Sequence, residues 1–317
     1  MMREVIEQIY QYQTFLITSH IRPDGDALGS ELALYYMLRS LGKETTVYNQ
    51  DQTPFNYHFL PGSEDIVHTI DHHKRYDAII VVDCNGLERI GSDGLKFAQN
   101  KRLINIDHHI AYQKIFHFSY TDASASSAGE LIYRLAMAME IKITPPMAIN
   151  LFTAIMTDTG RFCHKGTNKE TFLAAGDLVA CGADPQFIGE HVYESNPENK
   201  IHLLKRALET LRFDFEGKVG SMVIFQQDFT ELNVKYEHSE SFVDMTKEIR
   251  TVELSVFYTE IEPDLFKASF RSKRDINVEK IASSFGGGGH VNAASCYLEG
   301  PFTAAHERVL AAVRSVL

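Results

Sequence analysis

The hexapeptide DAIIVV at positions 77–82 constrains the fold of this chain more than any other feature. Five consecutive apolar residues with no polar alternation do not suit a strand with one wet face. They suit a strand buried on both sides, the kind found in parallel sheets covered by helices. The run ends at Asp83-Cys84-Asn85-Gly86, and two other segments repeat the arrangement. Thr14–Thr18 is a β-type run ending at Ser19-His20, and Leu103–Ile106 ends at Asp107-His108-His109. Open α/β sheets place their ligands outside the carboxyl ends of the strands. Three strand ends carrying acids and imidazoles therefore mark one candidate site.

The surrounding pattern alternates strand and helix. Residues 2–12 read as an amphipathic helix, and Thr45–Tyr48 as a further strand. After the first strand, a turn on Pro23 and Gly25 leads into a helix from about Ala27 to Leu41, stopped by Gly42. Ser127-Ala128-Gly129-Glu130 matches a capping box and opens a helix to Met139. A helix from Pro145 to Thr157 leads into Asp158-Thr159-Gly160-Arg161, and helices continue at 168–181, 184–195 and 198–211. The pattern then changes to strand-like runs at 212–216, 219–226, 252–261 and 265–271, with a hairpin turn at Gly217. The expected fold class is α/β: an N-terminal parallel-sheet domain joined by a helical linker to a smaller α+β domain. With 317 residues, two domains are the natural prior. The expected boundaries are 1–190, a linker at 191–212, and 213–317.

Composition narrows the ligand. The net charge of −11 argues against a protein that tracks long nucleic acid, which needs a basic footprint. A short or small phosphorylated ligand is expected instead. Cys84, Cys163, Cys181 and Cys296 form no C-x-x-C pair, which argues against a zinc knuckle and suggests buried thiols in a reducing compartment. The N-terminus lacks a signal-peptide core, and no apolar run approaches membrane-spanning length. A cytoplasmic location with no membrane partner is expected.

The chemistry lies in His20, Asp24, Asp26, Asp83, His108 and Asp158. A lone Asp is usually a helix cap or a surface charge, and the His20–Asp26 loop alone reads equally as a capped polar turn. Convergence of several motifs at strand ends outweighs that reading. Two imidazoles and four carboxylates suit two divalent ions with one carboxylate bridging. Mixed nitrogen and oxygen donors without thiolate favour manganese and also accept magnesium, cobalt or zinc. Two ions roughly 3.5–4 Å apart form the clamp that hydrolyses phosphate esters. In the C-terminal part, the Gly286–Gly289 run can let backbone approach an anion, and Arg271-Ser272-Lys273 ends a neighbouring strand.

SHIRPDGDALGS, VVDC, IDHH and TDTGRF, in that order, resemble the DHH phosphoesterase family, and FRSK with GGGGHVNAAS resembles its DHH-associated C-terminal domain. Within the family the resemblance is to NrnA-type enzymes, bifunctional oligoribonucleases and pAp phosphatases, and it covers nearly the whole chain. It implies that His20, Asp24 and Asp83 bind one metal. Asp26, Asp83, His108 and Asp158 would bind the other. His109 would face the phosphate as a catalytic group, with Asp107 orienting its neighbour. Arg271, Ser272, Gly287, Gly288, Gly289 and His290 would hold the distal part of the substrate, in a cleft between the domains. Ser295 stands where the family usually has glycine.

The implied partners are short oligoribonucleotides or nucleotides such as pAp, not long duplexes, with a homodimer as the base-rate assembly. A cyclic di-AMP or pApA phosphodiesterase is the alternative with the same chemistry, and a non-catalytic nucleotide sensor is the alternative from another class. A second DHH, at Asp71-His72-His73, precedes the DAIIVV strand and reads as a solvated decoy. His164, His191, His202 and His238 read as solvated or capping residues. Arg161 reads equally as a phosphate contact or a salt bridge within the fold.

Overall fold

The computed structural model describes residues 1–109, 115–239 and 241–317. The chain divides into two compact units, Met1–Ser195 and Asn196–Leu317.

The first unit runs α1 (Met2–Gln11), β1 (Thr14–Thr18), α2 (Gly25–Ser40), β2 (Glu44–Val47), β3 (Ala78–Val82), α3 (Ser92–Phe97), β4 (Leu103–Asp107), β5 (Phe118–Thr121), α4 (Ala128–Ala138), α5 (Pro145–Asp158), α6 (Lys169–Ala180) and α7 (Pro185–Tyr193). Its five strands pair in the order β2-β1-β3-β4-β5, all parallel. Every residue of β3 and β4 is buried, as the apolar runs require. One face packs Phe15, Ile17, Ile80 and Ile104 against α2, α4 and α5. The other packs Leu16, Ile79 and Val81 against Ile90 and Phe97. The sequence reading missed β5, whose FSYT run is too short and polar to signal a strand, and also the one-and-a-half-turn α3.

Helix α2 is buried nearly all round, between the sheet and α5. Gly29 makes this possible. A Cβ there would lie 2.3 Å from the Asn150 carbonyl oxygen, so only glycine lets α2 and α5 approach so closely. That approach brings the C-terminal end of α5 beside the N-terminal end of α2.

The second unit contains α8 (Glu198–Glu209), β6 (Arg212–Asp214), β7 (Val219–Ile224), α9 (Gln226–Glu231), α10 (Phe242–Lys247), β8 (Leu254–Glu262), β9 (Leu265–Ser272), α11 (Glu279–Ser284), β10 (Gly288–His290), β11 (Ala293–Glu299) and α12 (Phe302–Val313). These strands form one mixed sheet, β10-β11-β9-β8-β7-β6. Helix α8, in the stretch read as linker, packs Leu203 and Ala207 against Met222, Ile224 and Phe257 of this sheet. The opposite face buries Val256, Phe266, Phe270 and Leu298 beneath α11 and α12. The sequence predicts, at the glycine run, a backbone open to an anion. The run is instead a turn followed by an edge strand, with Gly288, Gly289 and His290 opposite Ser295, Ala294 and Ala293. Cβ atoms at Gly287 and Gly289 would lie 2.2 and 2.4 Å from β11 carbonyl oxygens, so these glycines let the backbone lie flush on β11.

Two thiols, Cys84 and Cys296, are buried as expected, whereas Cys181 is half-buried and Cys163 is exposed. No helix among the described residues is long and apolar enough to cross a membrane.

Candidate metal centre

The site sits at the carboxyl ends of three adjacent strands. Thr18 of β1 is followed by Ser19-His20, Val82 of β3 by Asp83, and Asp107 of β4 by His108 and His109. Because β1, β3 and β4 are parallel neighbours, these side chains emerge along one edge. The N-terminus of α2 adds Asp24 and Asp26, and the last residue of α5 adds Asp158. All six expected ligands are brought together. Among the described residues, ligand atoms cluster in three overlapping groups: His20, Asp24 and Asp83; Asp26, His108 and Asp158; Asp83, His108 and His109.

Asp83 is the centre. Its Oδ2 lies 3.6 Å from His20 Nε2, while its Oδ1 lies 3.5 Å from His108 Nε2 and 3.6 Å from His109 Nδ1. The two oxygens thus face different groups, as a bridging carboxylate must. The residue is buried, and its Oδ1 has no hydrogen-bond partner among the described residues. Its backbone φ is +49°, a left-handed conformation that costs an ordinary side chain roughly 1–2 kcal/mol. Strain of this sort collects at functional sites.

The other candidate ligands are held by local structure. Asp24 is both helix cap and site residue: its Oδ1 accepts from the Asp26 and Ala27 amides and lies 4.0 Å from His20 Nε2. His20 Nδ1 donates to the Ile21 carbonyl at 2.9 Å, which turns Nε2 toward the carboxylates. Asp26 accepts from the Ala128 and Gly129 amides, at 2.8 and 2.9 Å, and from Ser30 Oγ at 3.1 Å. The N-terminus of α4 therefore fixes it in place. The α4 cap itself is half of the expected box. Ser127 Oγ accepts from the Glu130 amide, but the Glu130 carboxylate turns to Ser126 and Thr171. Behind His20, Ser19 donates to Asn49, and Asn49 donates to the buried Glu31, whose carboxyl burial pushes up to about 8. Ser30, Asn49 and Glu31 escaped the sequence reading because no local motif marks them.

His109 Nδ1 and its backbone amide both reach Asp107 Oδ1, at 2.7 and 3.2 Å. After Asp158, Gly160, Arg161 and Phe162 are all left-handed, with φ of +54°, +61° and +64°. Thr159 stabilises this turn by accepting from the Cys163 and His164 amides through its carbonyl and from the Phe162 amide through its hydroxyl. The turn places the Arg161 guanidinium 3.9 Å from the Tyr193 ring centroid, with no acidic partner among the described residues. His164 caps the Asp158 carbonyl, and His191 and His238 bond the Phe187 and Lys235 carbonyls. His202 pairs with Glu198 one turn away on α8. The second DHH is an exposed turn in which His72 meets Asp93.

Charge is concentrated here. Burial foremost, then the Asp83 and Asp158 charges, pushes Asp26 well above the usual carboxylate range. Burial also raises Asp158 to about 7, against the pull of His108. Burial acts to lower the imidazoles, but the carboxylates, Asp83 first, overcome it and raise His20 to about 9 and His108 to about 10. Asp83, despite its burial, is held far below the usual range by His108 and His20. Carboxylates crowded this way call for a cation. The donors fit a hard or borderline divalent ion. Cys84, next to Asp83, does not contribute: its Sγ donates to the Gly86 carbonyl, and burial pushes the thiol up to about 11.

In the second unit, Arg271 and Ser272 end β9. Ser272 Oγ donates to the Ile276 carbonyl and accepts from Asn292, so it secures the strand end. Gly288 and His290 are exposed on the edge strand.

Comparison with known proteins agrees with this architecture. A family model described as the DHH family N-terminal domain matches residues 14–157, and one described as the DHHA1 domain matches 219–317. The chain is 30% identical over 302 residues to the bifunctional oligoribonuclease and PAP phosphatase NrnA of Thermus thermophilus, spanning 95% of this chain and 89% of that one. It is 26% identical over 302 residues to the Bacillus subtilis protein of the same name, spanning 94% of each. The crystal structure of an exopolyphosphatase-related protein from Bacteroides fragilis matches with a TM-score of 0.92 at 27% identity, over 99% of this chain and 95% of that one. With strand-end acids and histidines in the first unit and a DHHA1 domain in the second, the chain belongs to the DHH family.

Proposed function

We propose that this chain is a metal-dependent phosphoesterase that hydrolyses short oligoribonucleotides and 3′-phosphoadenosine 5′-phosphate (pAp). The observation that carries the reading is Asp83, a buried carboxylate whose two oxygens face different imidazoles and whose Oδ1 has no hydrogen-bond partner among the described residues. The names of the Thermus and Bacillus relatives support the substrate class. His20, Asp24 and Asp83 would hold one divalent ion, and Asp26, Asp83, His108 and Asp158 a second, with manganese the first choice. Ions held there supply Lewis acidity and make water a usable nucleophile near neutral pH.

The chain's own residues do the rest. Asp26, locked to the α4 amides, and His20, locked to the Ile21 carbonyl, present their ligand atoms with little reorganisation. Water adds to phosphorus as the ester P–O bond breaks, and the departing oxygen needs a proton or a positive neighbour. His109, oriented by Asp107, is the group for that task. Arg161, carried on its strained turn, would meet a non-bridging phosphate oxygen. No apolar membrane-length helix among the described residues opposes a cytoplasmic enzyme.

The test is hydrolysis of pAp and of a 5′-labelled diribonucleotide in manganese, with Asp83→Ala as control. Wild type should cleave both and the variant neither. Cleavage of cyclic di-AMP or pApA alone would overturn the substrate assignment. No phosphate release with any divalent ion would overturn the enzyme.

A further inference from the structure

Helix α2 supports the two groups of candidate ligands from consecutive residues. Ser30 Oγ donates to Asp26, which belongs to the group with His108 and Asp158. Glu31 lies about 100° further round the helix and is completely buried. A carboxyl placed there loses its hydration and must be met by a hydrogen bond. Its Oε2 accepts from Asn49 Nδ2 at 2.7 Å, while its Oε1 has no hydrogen-bond partner among the described residues.

Asn49 passes this contact on toward His20. Its Oδ1 accepts from Ser19 Oγ at 3.3 Å, its backbone amide donates to the Val67 carbonyl at 3.1 Å, and its own carbonyl accepts from His68 Nδ1 at 2.9 Å. Ser19, Glu31 and Asn49 are each at most 3% exposed, so bulk water does not compete for these bonds. Two residues on, Asp51 Oδ2 accepts from the amide of Arg22, a left-handed residue, at 2.7 Å. The segment that follows β2 therefore grips the loop between β1 and α2 on both sides of His20. The other candidate ligands of this group need no such grip. Asp24 caps its own helix, and Asp83 follows β3 directly. His20 stands within a loop, so its place depends on what holds that loop.

We propose that Asn49 is a positioning residue for His20, with Glu31 as its anchor. The pair sets the affinity for the divalent ion that His20, Asp24 and Asp83 would hold, and leaves the ion at Asp26, His108 and Asp158 as it is. An amide suits position 49 because it donates on one side and accepts on the other. The inference rests on the two-ion reading under the proposed function and adds the residues that tune one ion against the other.

The test is manganese titration of the full-length protein, with free ion read by electron paramagnetic resonance and folding checked by melting in chelator. Wild type should bind two ions. Asn49→Ala should weaken one of them about tenfold, as loss of an outer orienting partner does, and leave the other within about twofold. Glu31→Leu should copy Asn49→Ala. Glu31→Gln should match wild type, because its amide oxygen still accepts from Asn49. If Asn49→Ala does not fold, Ser19→Ala decides the matter: it removes one hydroxyl, keeps the Glu31–Asn49 bond, and should weaken the same ion. In a His20→Ala background, Asn49→Ala should cause no further loss, since the network acts through His20. Unchanged affinity, equal weakening of both ions, additive loss in the His20→Ala background, or equal losses in Glu31→Gln and Glu31→Leu would each overturn the assignment. Wild type that bound a single ion would overturn the two-ion reading, and loss or retention of that ion in Asn49→Ala would still decide this one. Wild type that bound none would overturn both.

Discussion

Asp107 is placed to act through His109, without itself touching a metal or a substrate. It is fully buried, and its Oδ1 receives both the ring and the backbone N–H of His109. A carboxylate accepts at both oxygens, whereas an amide offers its NH₂ on one side and disturbs the tautomer. Asp107→Asn is expected to lower turnover about 10–100-fold, the usual cost of losing an outer orienting partner. Metal affinity, read by calorimetry, should change far less. Equal losses in both would mean that Asp107 supports the ligands rather than His109. Asp77 carries a residue-scale prediction of another kind. Its Oδ2 accepts from the Gln13 and Thr14 amides, both at 2.9 Å, and these bonds hold its carboxyl below the usual range. A depressed carboxyl stabilises the fold above its unfolded value, and that contribution is lost as pH falls through the lower folded value. Asp77→Asn should therefore flatten the acid limb of a stability–pH curve near and below pH 4, with little further change at neutral pH beyond about 1 kcal/mol for the weakened bonds. Parallel acid limbs for the two proteins would refute this.

At the scale of elements, the crossing of α2 and α5 decides whether a site exists. Gly29 permits contact between helix backbones, and this contact delivers Asp158 to the end of α2 that carries Asp26. Alanine at position 29 gains about 1 kcal/mol of helix propensity. The overlap with the Asn150 carbonyl costs more, typically 1–3 kcal/mol for an overpacked core. Gly29→Ala should lower the urea midpoint, and it should also reduce activity at temperatures where the protein stays folded, because Asp158 is pushed away from its partners. Full activity alongside lowered stability would show that the ligand set tolerates the shift.

At the scale of the molecule, each unit has its own hydrophobic core, and neither core includes the candidate metal ligands. The chain should therefore stay folded in chelator, unlike small domains whose folding free energy comes from zinc. Manganese should raise the melting temperature of the first unit's transition, since a ligand at 100 times its dissociation constant adds about 2.7 kcal/mol. Asp83→Ala should abolish that rise. A rise that survives the variant would place the stabilising ion elsewhere.

Sequence alone determined where the candidate ligands lie along the strands. A continuous apolar run forces a doubly covered parallel strand, so the residues after it must gather at one edge, and His20, Asp83 and His108 follow from that. Asp24 as a helix cap was legible for the same local reason. Other features depend on contacts between residues far apart in the chain. The α4 amides that fix Asp26 lie 102 and 103 residues beyond it. The left-handed backbone at Asp83 and the packing that carries Asp158 to the site likewise have no local signal. Strands β10 and β11 were missed because a glycine run reads locally as a loop, and the flush pairing that makes it a strand comes from its partner. Strand register is of this kind too: it sets Lys267 opposite Thr259, and tertiary structure alone decides it.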